Sequence, residues 1–221
     1  MTHSGPDRHP HGDGRVLHAG APLDEATGII IALHGRGAGA EDIVGLAQEV
    51  APSAVAIVAP EAAGNTWYPY RFLEPTERNE PYLSSALRRV GELIDDVQSR
   101  GIPAQRIALL GFSQGACLAL ESAARHPMRY AAVLAFSGGL IGPPGTVFNY
   151  EGSLDRTPVF IGSSDIDPHI PKERVEESAV AVRRLGAEVD ARLYPGMGHT
   201  VNRDEVQAAL AILKKAFGAE G

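Results

Sequence analysis

The sequence predicts an α/β fold: a mostly parallel central sheet with helices on both faces. Short apolar runs rich in β-branched residues, such as Ile29-Ile-Ile-Ala-Leu33 and Val55-Ala-Ile-Val-Ala59, have the pattern of strands buried on both faces. Between such runs lie longer stretches whose apolar residues recur at helical spacing, as Leu83, Leu87, Val90, Ile94 and Val97 do. Strand and helix therefore alternate along the chain, which is the signature of parallel strands joined by crossover helices.

Met1 to Gly14 is rich in His, Pro, Gly and Asp with nothing to bury, and reads as a flexible N-terminal tail. His3, His9 and His11 fall within that leader rather than forming a metal site. A single α/β domain is expected over 15–221, since 221 residues suit one full core and no repeat or linker is evident. Arg15 to Ala19 reads as a short edge strand, and Ile29–Leu33 as the first buried one. It empties into His34-Gly35-Arg36-Gly37-Ala38-Gly39, a loop able to set backbone N–H groups against a ligand. Glu41 and Asp42 open a helix with Ile43, Leu46, Ala47 and Val50 on one face, and Pro52 marks its end.

After the strand Val55–Ala59 and its stop at Pro60 comes a non-periodic stretch, Ala62 to Glu80, holding Trp67, Tyr68, Tyr70 and Phe72. A loop of this length is often functional, so Trp67 and Tyr68 are candidates to line a substrate pocket; the bland alternative is rings capping the core. Leu83 to Arg100 is an amphipathic helix stopped by Gly101. A strand then leads into Gly111-Phe112-Ser113-Gln114-Gly115 and a helix running to Arg125, with Ala116, Ala119, Leu120, Ala123 and Ala124 on one face. Tyr130–Phe136, Pro158–Ile161 and Val189–Tyr194 are further strands, Lys172–Leu185 and Asp204–Phe217 are helices, and Ile141 to Arg156 is a Gly/Pro-rich loop.

Composition excludes several classes. A formal charge of −7 without a Lys/Arg cluster argues against nucleic acid and against stable association with an anionic membrane. No apolar run reaches 18 residues, and the first residues lack the apolar core of a signal peptide. The one cysteine, Cys117, can form no internal disulfide and reads as a buried packing residue; a reducing cytoplasm fits it.

The chemistry concentrates at the strand-to-helix turn. Gly-x-Ser-x-Gly in this setting is a nucleophile elbow: the glycines let strand and helix approach, and the turn lifts the Ser113 hydroxyl clear of the sheet. In open parallel sheets the working groups lie beyond the carboxyl ends of the strands. The loop after Ile161 carries Asp165 and Asp167, and the loop after Tyr194 carries His199. The order serine, acid, histidine is that of the α/β-hydrolases. His34 and His169 are rival bases, but the first breaks that order and the second lies inside the acid loop. By position alone either aspartate can serve.

The chain resembles the phospholipase/carboxylesterase family of α/β-hydrolases, the group that includes acyl-protein thioesterases. The matching residues are Leu33-His-Gly-Arg-Gly37, Gly111-Phe-Ser-Gln-Gly115, Ser137-Gly-Gly-Leu140, Asp167-Pro-His-Ile-Pro171 and Gly198-His199. The resemblance implies an α/β-hydrolase fold without a large lid and picks Asp167 as the acid of the triad Ser113, Asp167, His199. It also implies an oxyanion hole from the backbone N–H groups of Arg36 and Gln114. Arg36 stands where thioesterase members usually carry an apolar residue, and the Asn65-Thr-Trp67-Tyr-Pro segment differs from the shorter thioesterase region. The implied activity is hydrolysis of small to medium acyl esters with no cofactor and no metal, and a homodimer is compatible with it. A lysophospholipase or acyl-thioesterase is the alternative. A binding protein of the same fold is the reading from another class, but such proteins typically lose a triad member.

Overall fold

The computed structural model describes residues 9–218. Seven strands form one sheet: β1 (Val16–Gly20), β2 (Gly28–Leu33), β3 (Val55–Pro60), β4 (Ile107–Phe112), β5 (Ala132–Phe136), β6 (Pro158–Ser164) and β7 (Glu188–Tyr194). Their order across the sheet is β1-β3-β2-β4-β5-β6-β7. Only β1 runs antiparallel, on the edge beside β3; the other neighbours are parallel. The helices are α1 (Ala40–Val50), α2 (Tyr82–Ser99), α3 (Gln114–Arg125), α4 (Lys172–Arg184) and α5 (Arg203–Phe217).

Two apolar cores result, one on each face of the sheet. Because strand side chains alternate, β2 sends Ile29, Ile31 and Leu33 into one core and Ile30 and Ala32 into the other. The first is roofed by α2, α3 and α4, and the second by α1 and α5. All six β2 residues are buried, as the unbroken apolar run requires. The chain leaves β2 for its neighbour on one side, returns past it to β4, then proceeds the other way. Loops after β2 and β4 therefore diverge at a topological switch point, where a crevice opens at the carboxyl ends of the strands.

The two long excursions, 61–81 and 137–157, hold short 3-10 turns at Ala63–Asn65 and Thr76–Asn79 and no α-helix, so no helical lid covers the crevice among the described residues.

The expectation of a flexible tail through Gly14 does not hold for residues 9–14. His11 is wholly buried. Its ring accepts the Ala63 N–H at Nδ1 (3.0 Å), which leaves the proton on Nε2 to donate to the Trp67 carbonyl (2.9 Å). The His11 N–H donates to Ser85 Oγ, and the ring packs against Trp67 and Tyr82. The tail reading missed this because the partners of His11 lie more than fifty residues away in the chain. Residues 1–8, including His3, lie outside the described residues.

Candidate active site

The turn from β4 into α3 is tight enough to dictate its own sequence. A side chain at Gly111 would place a Cβ 2.2 Å from the Gly115 carbonyl oxygen, and one at Gly115 would sit 2.0 Å from the Leu33 carbonyl oxygen. Between them Ser113 adopts φ 55° and ψ −117°, a strained backbone for an L-residue. The strain is held by hydrogen bonds, since Ser113 N–H donates to Phe136 O (2.9 Å) and Cys117 N–H to Ser113 O (3.0 Å).

Three loops converge on that hydroxyl. His199, half-buried in the loop after β7, sets Nε2 2.9 Å from Ser113 Oγ. Its Nδ1 lies 2.7 Å from Asp167 Oδ2, in the loop after β6. The other oxygen of Asp167 accepts the His169 (2.8 Å) and Ile170 (3.1 Å) N–H groups. Burial alone would raise this carboxyl. The His199 ring and the two backbone donors outweigh burial and hold it below the ordinary carboxylate range, so it stays charged. With Asp167 accepting the Nδ1–H hydrogen bond, Nε2 is left free to accept from serine.

Asp165, the positional rival, turns to another task. It is exposed, and its Oδ1 accepts the Gly196 N–H at 2.8 Å, bracing the loop that carries His199. His34 is unfit as a base. Ala62 N–H, from the segment after β3, donates to its Nε2 (3.0 Å) and Nδ1 lies 2.7 Å from Gly35 O, so both nitrogens are occupied. Burial lowers its basicity further. Cys117 is buried one helical turn beyond Ser113, and burial pushes its thiol up to about 12, so it is no thiolate at neutral pH.

Arg36 and Gln114 flank the serine from the loop after β2 and the start of α3. Neither backbone N–H has an acceptor among the described residues. Gln114 also orders the aromatic segment with its side chain. Its Oε1 accepts the Trp67 N–H and its Nε2 donates to the Tyr68 carbonyl, each at 2.8 Å. The Arg36 guanidinium donates to Pro69 O (2.7 Å) and Tyr70 O (2.6 Å), stitching the same segment to the first loop. Neither side-chain role was legible in the sequence, which contains no local partner for them.

A pocket of about 380 Å³ opens over Ser113 and His199, walled by Tyr68, Phe72, Phe112, Cys117 and Ile170. Tyr68 thus lines it as expected, with its buried hydroxyl beside the Cys117 thiol. Trp67 does not line it, which corrects the expectation. Its ring is wholly buried, with Nε1 donating to His34 O at 2.9 Å, and it packs at a tilt against both the His34 and His11 rings. Trp67 is therefore scaffold beneath the loop after β2. A second cavity of about 270 Å³ shares Gly35, Phe112 and His199 and is walled by Ile43, Leu46 and Val201.

The sequence model for phospholipase/carboxylesterase matches residues 18–217. A crystal structure of a phospholipase/carboxylesterase from Dyadobacter fermentans is 41% identical and superposes with a TM-score of 0.89, over 95% of this chain and 100% of that one. Acyl-protein thioesterase 1 of Saccharomyces cerevisiae is 27% identical over 144 residues, which is 62% of this chain and 60% of the yeast protein. A probable carboxylesterase of Oryza sativa subsp. japonica is 28% identical over 134 residues, covering 60% of this chain and 56% of the rice protein. The aligned part of this chain thus spans little more than half the length of these curated relatives.

Proposed function

The chain belongs to the phospholipase/carboxylesterase family, and from that premise we propose that it is a serine carboxylesterase acting on small to medium acyl esters. The observation that carries this reading is the continuous Ser113–His199–Asp167 hydrogen-bond chain, with contacts of 2.9 and 2.7 Å, at the edge of an apolar pocket. As Ser113 Oγ bonds to the acyl carbon, His199 Nε2 takes its proton, and Asp167 stabilises the imidazolium. The oxyanion is received by the N–H groups of Arg36 and Gln114, a donor of this kind typically contributing about 2.7–4 kcal/mol. Collapse breaks the bond to the leaving oxygen, which takes the proton from His199. Water then attacks the acyl-enzyme with His199 again as base, releasing the carboxylic acid and restoring Ser113.

The pocket volume and the absence of a helical lid among the described residues support compact acyl groups over long chains. The name of the yeast relative favours a second reading, acyl thioesters, for which the same relay protonates a departing thiol. A binding protein of this fold has no need of an intact relay, and the relay is intact here.

Reaction with a fluorophosphonate probe and hydrolysis of p-nitrophenyl butyrate test the proposal. Wild-type protein should be labelled once, at Ser113, and turn the ester over. Ser113→Ala should stay folded and do neither. Labelling that persists in Ser113→Ala overturns the assignment, and inertness of the wild type towards both reagents favours the binding protein.

A further inference from the structure

The pocket over Ser113 has a charge pattern that ester hydrolysis alone does not require. Its lining includes Arg36, Arg71, His169 and His199 and no carboxylate, although the chain holds 27 acidic against 20 basic residues. Asp167 stands behind His199, with its oxygens on the ring and on two backbone N–H groups. Arg36 has its terminal nitrogens on two carbonyls. Arg71 is different. It is exposed, and its guanidinium makes one long hydrogen bond, Nη2 to His169 O at 3.3 Å. No carboxylate lies within ion-pair distance of it among the described residues, whereas the neighbouring Arg78 is paired with Glu74 at 2.7 Å.

The backbone that carries Arg71 is nonetheless fixed. Asn79, wholly buried, accepts the Tyr70 N–H at 2.8 Å and donates to the Arg71 carbonyl at 3.2 Å. Free guanidinium donors are thus held at the rim of a pocket whose walls, Tyr68, Phe72 and Ile170, are otherwise apolar. The buried Tyr68 hydroxyl, beside the Cys117 thiol, is a second polar group in that wall. A guanidinium of this kind matches a carboxylate through two parallel hydrogen bonds, and a cleft of one charge sign concentrates ligands of the other.

We propose that Arg71 selects acyl groups ending in a carboxylate, so that the preferred substrates of the Ser113 site are half-esters of short dicarboxylic acids. This rests on the reading of Ser113 as nucleophile. A rounded space of 380 Å³ is roughly 9 Å across, which has room for a diacid chain of about four or five carbons with one end at Ser113 and the other at the rim. The carboxylate takes no part in bond making: Ser113 displaces the alcohol, which takes its proton from His199, and water releases the diacid. The adjoining cavity walled by Ile43, Leu46 and Val201 receives the small alcohol.

The test compares monoethyl succinate with ethyl succinamate, its neutral amide isostere, by kcat/KM. Ethyl butyrate and fluorophosphonate labelling report on the parent reading. Wild-type enzyme should prefer the acid by tenfold or more, and the preference should shrink as salt rises from low to high ionic strength. Arg71→Gln should bring the ratio close to one, and Arg71→Lys should keep part of it. Arg100→Gln, an exposed arginine at the end of α2, should leave the ratio as it is. A wild-type ratio near one overturns the proposal while ethyl butyrate turnover keeps the esterase reading. A preference that survives in Arg71→Gln overturns the role of Arg71. If neither ethyl butyrate turnover nor labelling of Ser113 is seen, the esterase reading fails and this proposal fails with it.

Discussion

Ser113 sits at φ 55° and ψ −117°, a conformation costing an L-residue of order 1–3 kcal/mol and kept only because its surroundings over-determine it. The two aspartates near the site show how geometry assigns roles that residue type does not. Asp167 touches His199, and Asp165 touches Gly196. Asp167→Asn should therefore lower kcat on p-nitrophenyl butyrate by roughly 10³–10⁴-fold, since an amide opposite Nδ1 favours the wrong tautomer. Asp165→Asn should stay within a few-fold of wild type, and steady-state kinetics showing the reverse order transfers the acid role. Asp167 also links stability to pH. Its carboxyl is held below its unfolded value, so the unfolded chain binds the extra proton as pH falls. Its contribution is complete above the unfolded carboxylate range and disappears as pH falls through the folded value. In urea unfolding, the advantage of wild type over Asp167→Asn should shrink steadily from neutral pH towards pH 3.

At the scale of elements, the elbow depends on the close approach of β2, β4 and α3. Gly115→Ala would force a Cβ against the Leu33 carbonyl, and a loss of at least about 3 kcal/mol is expected, read as a fall in Tm or in soluble yield. The segment 9–14 is bound to the aromatic stretch through His11, so His11→Ala leaves the Trp67 carbonyl and the Ala63 N–H without that partner. A cost of about 1–3 kcal/mol in urea unfolding is the expected outcome. A third element-level device sits at the start of α5. Glu205 is wholly buried, accepts the Asn202 N–H through one oxygen at 2.8 Å, and leaves the other without a hydrogen bond among the described residues. Burial pushes its carboxyl up to about 7. Here the sign is opposite to that of Asp167. The unfolded chain loses this proton first, so stability falls as pH climbs from the ordinary carboxylate range through 7. Glu205→Gln should therefore stabilise the protein by about 1–3 kcal/mol at pH 8 and by much less at pH 5, measured as Tm at the two pH values.

Across the whole molecule, one sheet separates two cores and serves both, with alternate residues of β2 anchoring each. The single tryptophan, Trp67, lies where the loop after β2, the start of α3 and the segment 9–14 meet. Its fluorescence and the far-UV circular dichroism should report one coincident unfolding transition; two separated transitions would show that the cores unfold independently. The strands and helices were legible because each is a local pattern: β-branched runs for strands buried on both faces, period 3.6 for the helices, and Gly-x-Ser-x-Gly for the elbow. The loop positions of Ser113, Asp167 and His199 followed from that alternation, since the ends of parallel strands share one edge of the sheet. What stayed hidden was whatever depends on partners distant in the chain. Trp67 and Tyr68 are adjacent and both aromatic, yet one props the loop after β2 and the other walls the pocket. His11 in a polar leader is buried, while Arg71 in an aromatic stretch is exposed with free donors. By itself the sequence determined the elements, their order and the chemistry of the loops, because propensity and periodicity act between near neighbours. The motif resemblance already pointed to Asp167 over Asp165, but only the tertiary structure decided which ring faces the pocket and which cation stays unpaired. Those depend on packing distances between residues up to a hundred positions apart.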